Sequence, residues 1–464
     1  MKQTESLWTM IQRIRGVEDI RDVCHMTLYI LLIKQTDMIW KELTTAFSDA
    51  DVRTRREIFN TMMGFEYKET CSLSHFAGHH ERIIEMYNIQ DILVGYEKKH
   101  SISFGILEGA FFDLIKKLPK EMILEIISFI EIMNVQSHEA LYGIAENLVL
   151  QMTEKAGRSM GETSTNITLA KLEARLLDCG SSMTLYDGFC GTGISVNKVA
   201  AKDTKITIND INLLSVSIAT ILCILGEKNL KGAYCSDTLL NPKDGVEFDR
   251  IVSEPPFSVK YSKDYIERIY YRGGIPDKSI DGDSLAVFHT INHLKPDGKA
   301  TILLPTGFLF RGGKTKNARK LLLEMNVIDA IIELPEGCLP GTYAPSVLLI
   351  LNKNRDSDNI LMISAKGLFR REKRGMSLIS EEGIQKIDDI YRRRAVVDGL
   401  SSAPTIEEIS KADYELSVAK YVIPAISTPE RGSIKQLAVD YNDKQEQLQA
   451  LEKELTALRK RFIK

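Results

Sequence analysis

The sequence predicts an α/β chain: a doubly wound, mostly parallel sheet with a helical N-terminal domain and a C-terminal helical, coiled-coil tail. Three observations lead there. Strand-like and helix-like segments alternate from Thr184 to Leu351, the pattern of a parallel sheet covered on both faces. Residues 1–150 carry apolar side chains at helical spacing instead. Past residue 430 the apolar positions fall three and four apart, as in a coiled-coil seam.

In the first 150 residues, Leu7, Ile11 and Ile14 recur at helical spacing, Met26 to Ile33 reads as a buried helix segment, and further periodicity runs from Glu121 to Val149. A packing domain and a DNA-contacting domain both fit that pattern. Small and polar residues dominate from Gly157 to Asn166, a loop leading into the second domain. Strands are expected at Thr184 to Tyr186, Lys205 to Ile208, Asp249 to Ser253, Lys299 to Leu304, Val327 to Glu333 and Ser346 to Leu351. Helices are expected at Ile194 to Ala201, Leu213 to Leu225, Ser284 to His293 and Lys316 to Met325. A mixed, charged connecting region covers 365–430, with a helix near Ile384 to Arg394. In the tail, 431–464, Ile434, Leu437, Tyr441, Leu448, Leu451, Leu455, Leu458 and Phe462 form a seam broken by Lys444. Either a partner helix or the chain's own domain would cover it.

Bulk properties narrow the function. The 464 residues exceed one ordinary core, so two or three domains are expected. A net charge of -3 gives no global basic field, so contact with nucleic acid needs a local groove or a partner subunit. The seven cysteines include no C-x-x-C pair and no zinc-like spacing with histidine, which suits reduced thiols in a cytoplasmic protein without a structural metal. The start has no signal-peptide apolar core, and the longest apolar runs are too short to cross a bilayer.

The chemistry concentrates between Leu185 and Phe257. Asp187, Cys190, Gly191, Thr192 and Gly193 follow the first strand of the sheet and precede a helix. Glycines let the backbone turn sharply and approach a ligand, and N–H groups at the helix start suit the carboxylate of a methionine moiety. Asp210 ends the next strand, where a ribose-binding carboxylate belongs. Asp237, followed by Thr238, ends the next short segment and is placed to accept from a cofactor amino group. Three acids at successive strand ends point to a nucleoside cofactor. A fourth strand end carries Glu254-Pro255-Pro256-Phe257. The prolines stiffen the turn, and a side-chain oxygen with a main-chain oxygen then accepts both hydrogens of an amino group while Phe257 stacks on its ring.

With these motifs the chain resembles the methyltransferase subunits of type I restriction-modification systems, the adenine-N6 DNA methylases. The resemblance extends over nearly the whole chain: Leu7-Trp8 with Arg15-Gly16, Leu31 to Lys34, Gly161 to Asn166, Cys190 to Gly193, Leu303 to Gly313, Ile331 to Pro335, and Asp413 to Ser417 with Tyr421-Val422. It implies a Rossmann-like catalytic domain at 151–364 using S-adenosylmethionine, and a loop over the cofactor that carries Glu162, Thr163, Thr165 and Asn166. Glu254, Pro255, Pro256 and Phe257 would then form the catalytic turn, and a flipped-out adenine the substrate. The implied partners are DNA and a specificity subunit that chooses the target, with a second copy of this chain and a restriction/translocase subunit as further candidates.

Three positions depart from the family pattern. Its catalytic turn begins with Asn or Asp, whereas this chain has Glu254. The extra methylene moves the acceptor by roughly 1 Å, a displacement that can cost about 100-fold in rate. The lid loop lacks the usual aromatic and proline, reading Thr163-Ser164-Thr165-Asn166, and Gly188-Phe189 replaces Pro-Ala. The alternative to an active methylase is thus an impaired relative that serves as a DNA-binding or assembly subunit. Methylation of RNA or of a protein glutamine is a third reading, disfavoured by the helical domain and heptad tail.

Overall fold

The computed structural model describes residues 2–14, 19–78, 89–156, 166–242, 245–339, 344–371, 376–423, 441–449 and 451. The described residues before the sheet are mostly helical: α1 (Lys2–Ile14), α2 (Ile20–Ala46), α3 (Val52–Met63), α4 (Leu73–Gly78), α5 (Gln90–Lys99), α6 (Glu108–Lys117), α7 (Lys120–Glu131) and α8 (His138–Ala156). The periodicity read from Glu121 to Val149 falls in two helices, α7 and α8. α2 is buried continuously from Val23 to Ile33, because neighbouring helices and the sheet domain enclose it.

A further helix, α9 (Ile167–Leu177), then leads into a nine-stranded sheet. Its strands are β1 (Thr184–Asp187), β2 (Lys205–Asp210), β3 (Leu230–Cys235), β4 (Phe248–Ser253), β5 (Leu294–Pro305), β6 (Ile328–Glu333), β7 (Ser346–Asn352), β8 (Leu361–Ser364) and β11 (Ser401–Ser402). They run in the order β11-β8-β6-β7-β5-β4-β1-β2-β3. β1 pairs in parallel with both β2 and β4, while β7 is antiparallel to β5 and β6. A separate pair joins β9 (Phe369–Arg371) to β10 (Ser377–Ile379). β7 reads Ser-Val-Leu-Leu-Ile-Leu-Asn and is buried from Ser346 to Leu351, as expected for a strand covered on both faces.

Helices α10 (Ile194–Val199), α11 (Leu213–Leu225), α12 (Lys263–Tyr271), α13 (Gly282–Asn292), α14 (Lys314–Glu324) and α15 (Glu381–Arg393) connect or cover the strands, followed by the short α16 (Ile406–Lys411) and α17 (Val418–Tyr421). α11 has the predicted bounds. Its 13 residues are apolar nearly all round because it lies between the sheet and the N-terminal helices. There Ser217 of α11 sits 3.1 Å from His25 Nε2 and 2.7 Å from the Tyr29 hydroxyl. Among the described residues no helix is long and apolar enough to cross a membrane.

This sharing of α11 has a consequence for the sequence division at residue 150. That position lies inside α8, and one apolar cluster runs from Leu7 through Val149 to Val252. Residues 1–422 form one compact unit and 423–464 another. In the second unit residues 441–449 are helical, and Tyr441, Leu448 and Leu451 of the predicted seam are 64%, 59% and 62% exposed. The seam positions Ile434, Leu437, Leu455, Leu458 and Phe462 lie outside the described residues.

Two predicted stretches late in the chain meet in the fold. After β5, Thr306–Leu309 make a 3-10 turn. Arg319 of α14 donates from Nη1 to the carbonyls of Phe308 and Arg311, and from Nε to the carbonyl of Tyr414, each at 2.8 Å. The Leu416 N–H donates to the Leu309 carbonyl. One buried guanidinium therefore ties the Leu303 to Gly313 stretch to the Asp413 to Ser417 stretch.

Candidate active site

The parallel pairing of β4, β1 and β2, with β3 beside β2, brings the predicted motifs to the same ends of adjacent strands. Asp187 ends β1 and is buried; its Oδ1 accepts the Phe189 N–H at 3.1 Å. Burial, reinforced by the negative charge of Glu254, raises its carboxyl well above the usual range. Asp187 thus braces the loop from below. Asp210, half-buried at the end of β2, accepts the Gly191 N–H at 2.9 Å through Oδ2 and the Asn212 N–H at 2.8 Å through Oδ1. It therefore fixes the glycine loop to its own strand end.

The loop's shape depends on its glycines. Gly191 and Gly193 adopt φ of 48° and 81°, a region costly for residues with a Cβ. A Cβ on Gly193 would also lie 2.7 Å from Ala219 Cβ, so α10 and α11 pack as closely as they do only with glycine there. Beside Gly191 the space is open: nothing lies within 4 Å of an added Cβ. Gly191 and Thr192 are partly exposed, whereas Cys190 and Gly193 are buried. Cys190 belongs to the loop's floor, its thiol pushed up well above the ordinary value by burial.

Asp237 and Thr238 have separate positions. The Thr238 hydroxyl donates to the Gly188 carbonyl and receives from Asn209 Nδ2, joining three strand ends below the surface. Asp237 is half-exposed, accepts the Leu239 and Leu240 N–H groups through Oδ1, and receives the Tyr265 hydroxyl at 2.9 Å. Tyr265 stacks on Tyr261 with ring centroids 4.4 Å apart. Sequence reasoning missed this tyrosine, because it reaches Asp237 from α12. It also passed over Ile211, which is 70% exposed immediately after Asp210.

The turn after β4 divides cleanly. Pro255 is buried, Pro256 is exposed, and Glu254 and Phe257 are half-buried. Ser258 has φ of 56°, and its N–H donates to Asp283 Oδ1 at 2.7 Å. The other Asp283 oxygen receives Arg311 Nη2 at 3.1 Å. Asp283 is 3% exposed, and burial raises its carboxyl. These two residues anchor the turn's far end, and neither was singled out by sequence. Asp283→Ala is expected to lower stability by about 0.5–1.5 kcal/mol, the net worth of a typical hydrogen bond, measured by urea unfolding.

Glu254 faces inward with one oxygen: the Ser195 hydroxyl of α10 lies 2.5 Å from Oε1. The same hydroxyl lies 2.8 Å from Glu173 of α9, a residue with no exposed surface. Of the predicted lid residues, Glu162, Thr163 and Thr165 lie outside the described residues. Asn166 is buried and caps α9: Oδ1 accepts the Thr168 N–H at 2.8 Å, and Nδ2 donates to the Ser377 carbonyl. Its amide is engaged within the protein.

A doubly wound sheet with a glycine loop after β1, acids after β2 and β3 and an acidic Pro-Pro-aromatic turn after β4 defines a methyltransferase-type fold. The chain belongs to the N-6 DNA Methylase family, whose model matches residues 136–428. It is 32% identical over 293 residues to the type I restriction enzyme MjaVIII methylase subunit of Methanocaldococcus jannaschii, covering 57% of this chain and 50% of that one. It is 26% identical over 379 residues to the MpnII methylase subunit of Mycoplasma pneumoniae, covering 72% and 69%. The chain thus spans about half the length of the first relative and somewhat more of the second. In structure it is similar to the type I restriction-modification methyltransferase subunit from Streptococcus thermophilus, with a TM-score of 0.74 and 22% identity over 91% of this chain and 99% of that one.

Proposed function

We propose that this chain is the methyl-transferring subunit of a type I restriction-modification-like complex and acts on N6 of adenine in DNA. The observation that carries this reading is the adjacency of β1 and β4, which places the Glu254 to Phe257 turn beside the glycine loop in a member of an N-6 DNA methylase family.

The residues fit S-adenosylmethionine. The space at Gly191 is open, Asp210 and Asp237 are partly exposed at neighbouring strand ends, and Ile211 offers an apolar flank to a purine. Bound there, the cofactor supplies an electrophilic methyl group. Asp210 would hold the ribose hydroxyls and Asp237, steadied by Tyr265, the adenine amino group; Glu162, Thr163, Thr165 and Asn166 belong to the segment assigned to the lid. The target adenine leaves the duplex, at the cost of unstacking, and enters the pocket beside Phe257. Glu254 and the Pro255 carbonyl accept the two amino hydrogens and so aim the nitrogen lone pair at the methyl group, while the rigid Pro255-Pro256 pair holds both acceptors in place. DNA and a specificity subunit are the partners this reading requires; a second copy of this chain and a restriction/translocase subunit complete the proposed assembly.

The test is transfer of labelled methyl from S-adenosylmethionine to DNA by the full chain with its specificity subunit. Incorporation as N6-methyladenine is expected; none from an intact complex would defeat the reading. Phe257→Ala should reduce kcat/KM for DNA by about 1–3 kcal/mol, the worth of one base–aromatic stack, with S-adenosylmethionine binding retained. A second reading, an assembly subunit without turnover, draws on the Ser195 hydroxyl that holds Glu254 inward. A large gain of activity in Glu254→Asn would favour it.

A further inference from the structure

Glu173, Ser195 and Glu254 come from three different elements, α9, α10 and the turn after β4, and meet inside the protein. The Ser195 Oγ is 2.8 Å from Glu173 Oε2 and 2.5 Å from Glu254 Oε1. A hydroxyl carries one proton and can donate only once. Both contacts are hydrogen bonds only if one of the two acids donates to Ser195 and the other accepts from it. Glu173 has no exposed surface, whereas Glu254 is half-buried, so the ionised form belongs on Glu254.

The surroundings agree. The titratable groups acting on Glu173 are Glu254 and, from the end of β1, Asp187; both are acids, and both raise it. Asp210 lies beyond Asp187 and raises it in turn. The facing groups on α10 and β5 are hydroxyls, Ser195 and Thr301, the latter 3.4 Å from Glu173 Oε1. The cations of α9, Lys171 and Arg175, are both exposed, and Lys171 pairs outward with Glu381 of α15. Burial first, then the charge of Glu254 and its hydrogen bond with Glu173, raises the Glu173 carboxyl well above its ordinary 4.5, against the opposing effect of the Ser195 hydroxyl.

We propose that Glu173 is a positioning residue that, as a neutral acid, donates to Ser195, which donates to Glu254 and draws its longer side chain back from the base pocket. The retraction offsets the extra methylene that separates Glu254 from the shorter acceptors of related turns, and it leaves the negative charge on the residue that meets the amino group. Glu173 touches neither base nor cofactor. This inference rests on the reading of Glu254 as the base-orienting acceptor.

Two measurements on the full chain test it. The first needs no catalysis. A carboxyl whose native value is raised keeps its proton in the folded state after the unfolded chain has lost it. The stability it confers is therefore present below 4.5 and declines as pH rises above it. Glu173→Gln keeps the donor and removes the titration. The unfolding constant of the wild type relative to Glu173→Gln should rise by about tenfold per pH unit at most, from about pH 5 upward. Parallel curves for the two proteins would overturn the proton assignment.

The second measurement is methyl transfer with the specificity subunit present. Glu173→Ala should lower kcat by about 10- to 100-fold with little change in KM for S-adenosylmethionine. Glu173→Gln should recover most of that loss, and its rate should fall less at alkaline pH than that of the wild type, in which Glu173 loses its proton. Ser195→Ala, which keeps the backbone of α10, should reproduce the Glu173→Ala defect if that variant folds poorly. An active wild type with unaffected variants would defeat the relay alone. A wild type that never transfers methyl would defeat the proposed function, while the unfolding curves would still decide whether Glu173 holds the proton.

Discussion

Glu254→Ala is expected to lower kcat for DNA methylation by at least about 100-fold, the scale on which loss of an orienting contact at the reacting centre acts. The same variant is expected to be more stable than the wild type by about 0.5–2 kcal/mol. Glu254 is one of the charges that raise both Glu173 and Asp187, and it lies 2.5 Å from the hydroxyl that also meets Glu173. Deleting it removes the negative charge that keeps both carboxyls protonated, so Glu173 can ionise more readily and accept from Ser195. Opposite movement of activity and stability is the signature of a residue kept for chemistry rather than for the fold. Initial rates at saturating S-adenosylmethionine and urea unfolding of the same preparation measure both; a fall in both would mean that Glu254 serves the structure.

Arg319→Ala is expected to destabilise the chain by about 3–5 kcal/mol, a large share of the 5–15 kcal/mol that holds an ordinary domain. Arg319 is 1% exposed, and its three hydrogen bonds to main-chain carbonyls are all 2.8 Å long. The substitution leaves a cavity, and one buried and two part-buried carbonyls lose their donor. Arg319→Lys should recover little, since one ammonium cannot reproduce a planar fork reaching Phe308, Arg311 and Tyr414. The damage should also reach the site, because Arg311, whose carbonyl Arg319 holds, donates to Asp283, and Asp283 anchors Ser258 just beyond Phe257. Thermal unfolding measures the first effect, and the rate of methyl transfer in the folded fraction the second.

The sheet's central strands were legible because each is a short apolar run stopped by a turn residue or an acid. α11 was legible to the residue because Asn212 caps it and Gly226 follows it. β3 is placed in the sequence only as the short segment before Asp237, without bounds, because Gly232 and the partly exposed Tyr234 interrupt its pattern, and β8 is not among the expected strands. α9 begins directly after the expected loop and is not among the expected helices. Its signal was nonetheless present: Asn166 as a cap, with Leu169, Leu172 and Leu176 three and four apart.

The site was legible wherever its residues are contiguous, as in Cys190 to Gly193 and Glu254 to Phe257. It was hidden where function depends on residues distant in sequence. Tyr265 reaches Asp237 across 28 positions, Arg311 reaches Asp283 across 28, and Ser195 reaches Glu254 across 59. Periodicity reports only which face of an element is buried, so it carries no information about such pairs.

The most direct test of the central claim is to sequence the DNA of the native host, with and without this gene, by a method that detects N6-methyladenine. Loss of methylation at one defined motif on deletion, restored by the wild-type gene and not by Glu254→Ala, is the predicted result. An unchanged methylome, with the protein shown to be expressed and assembled, would contradict it.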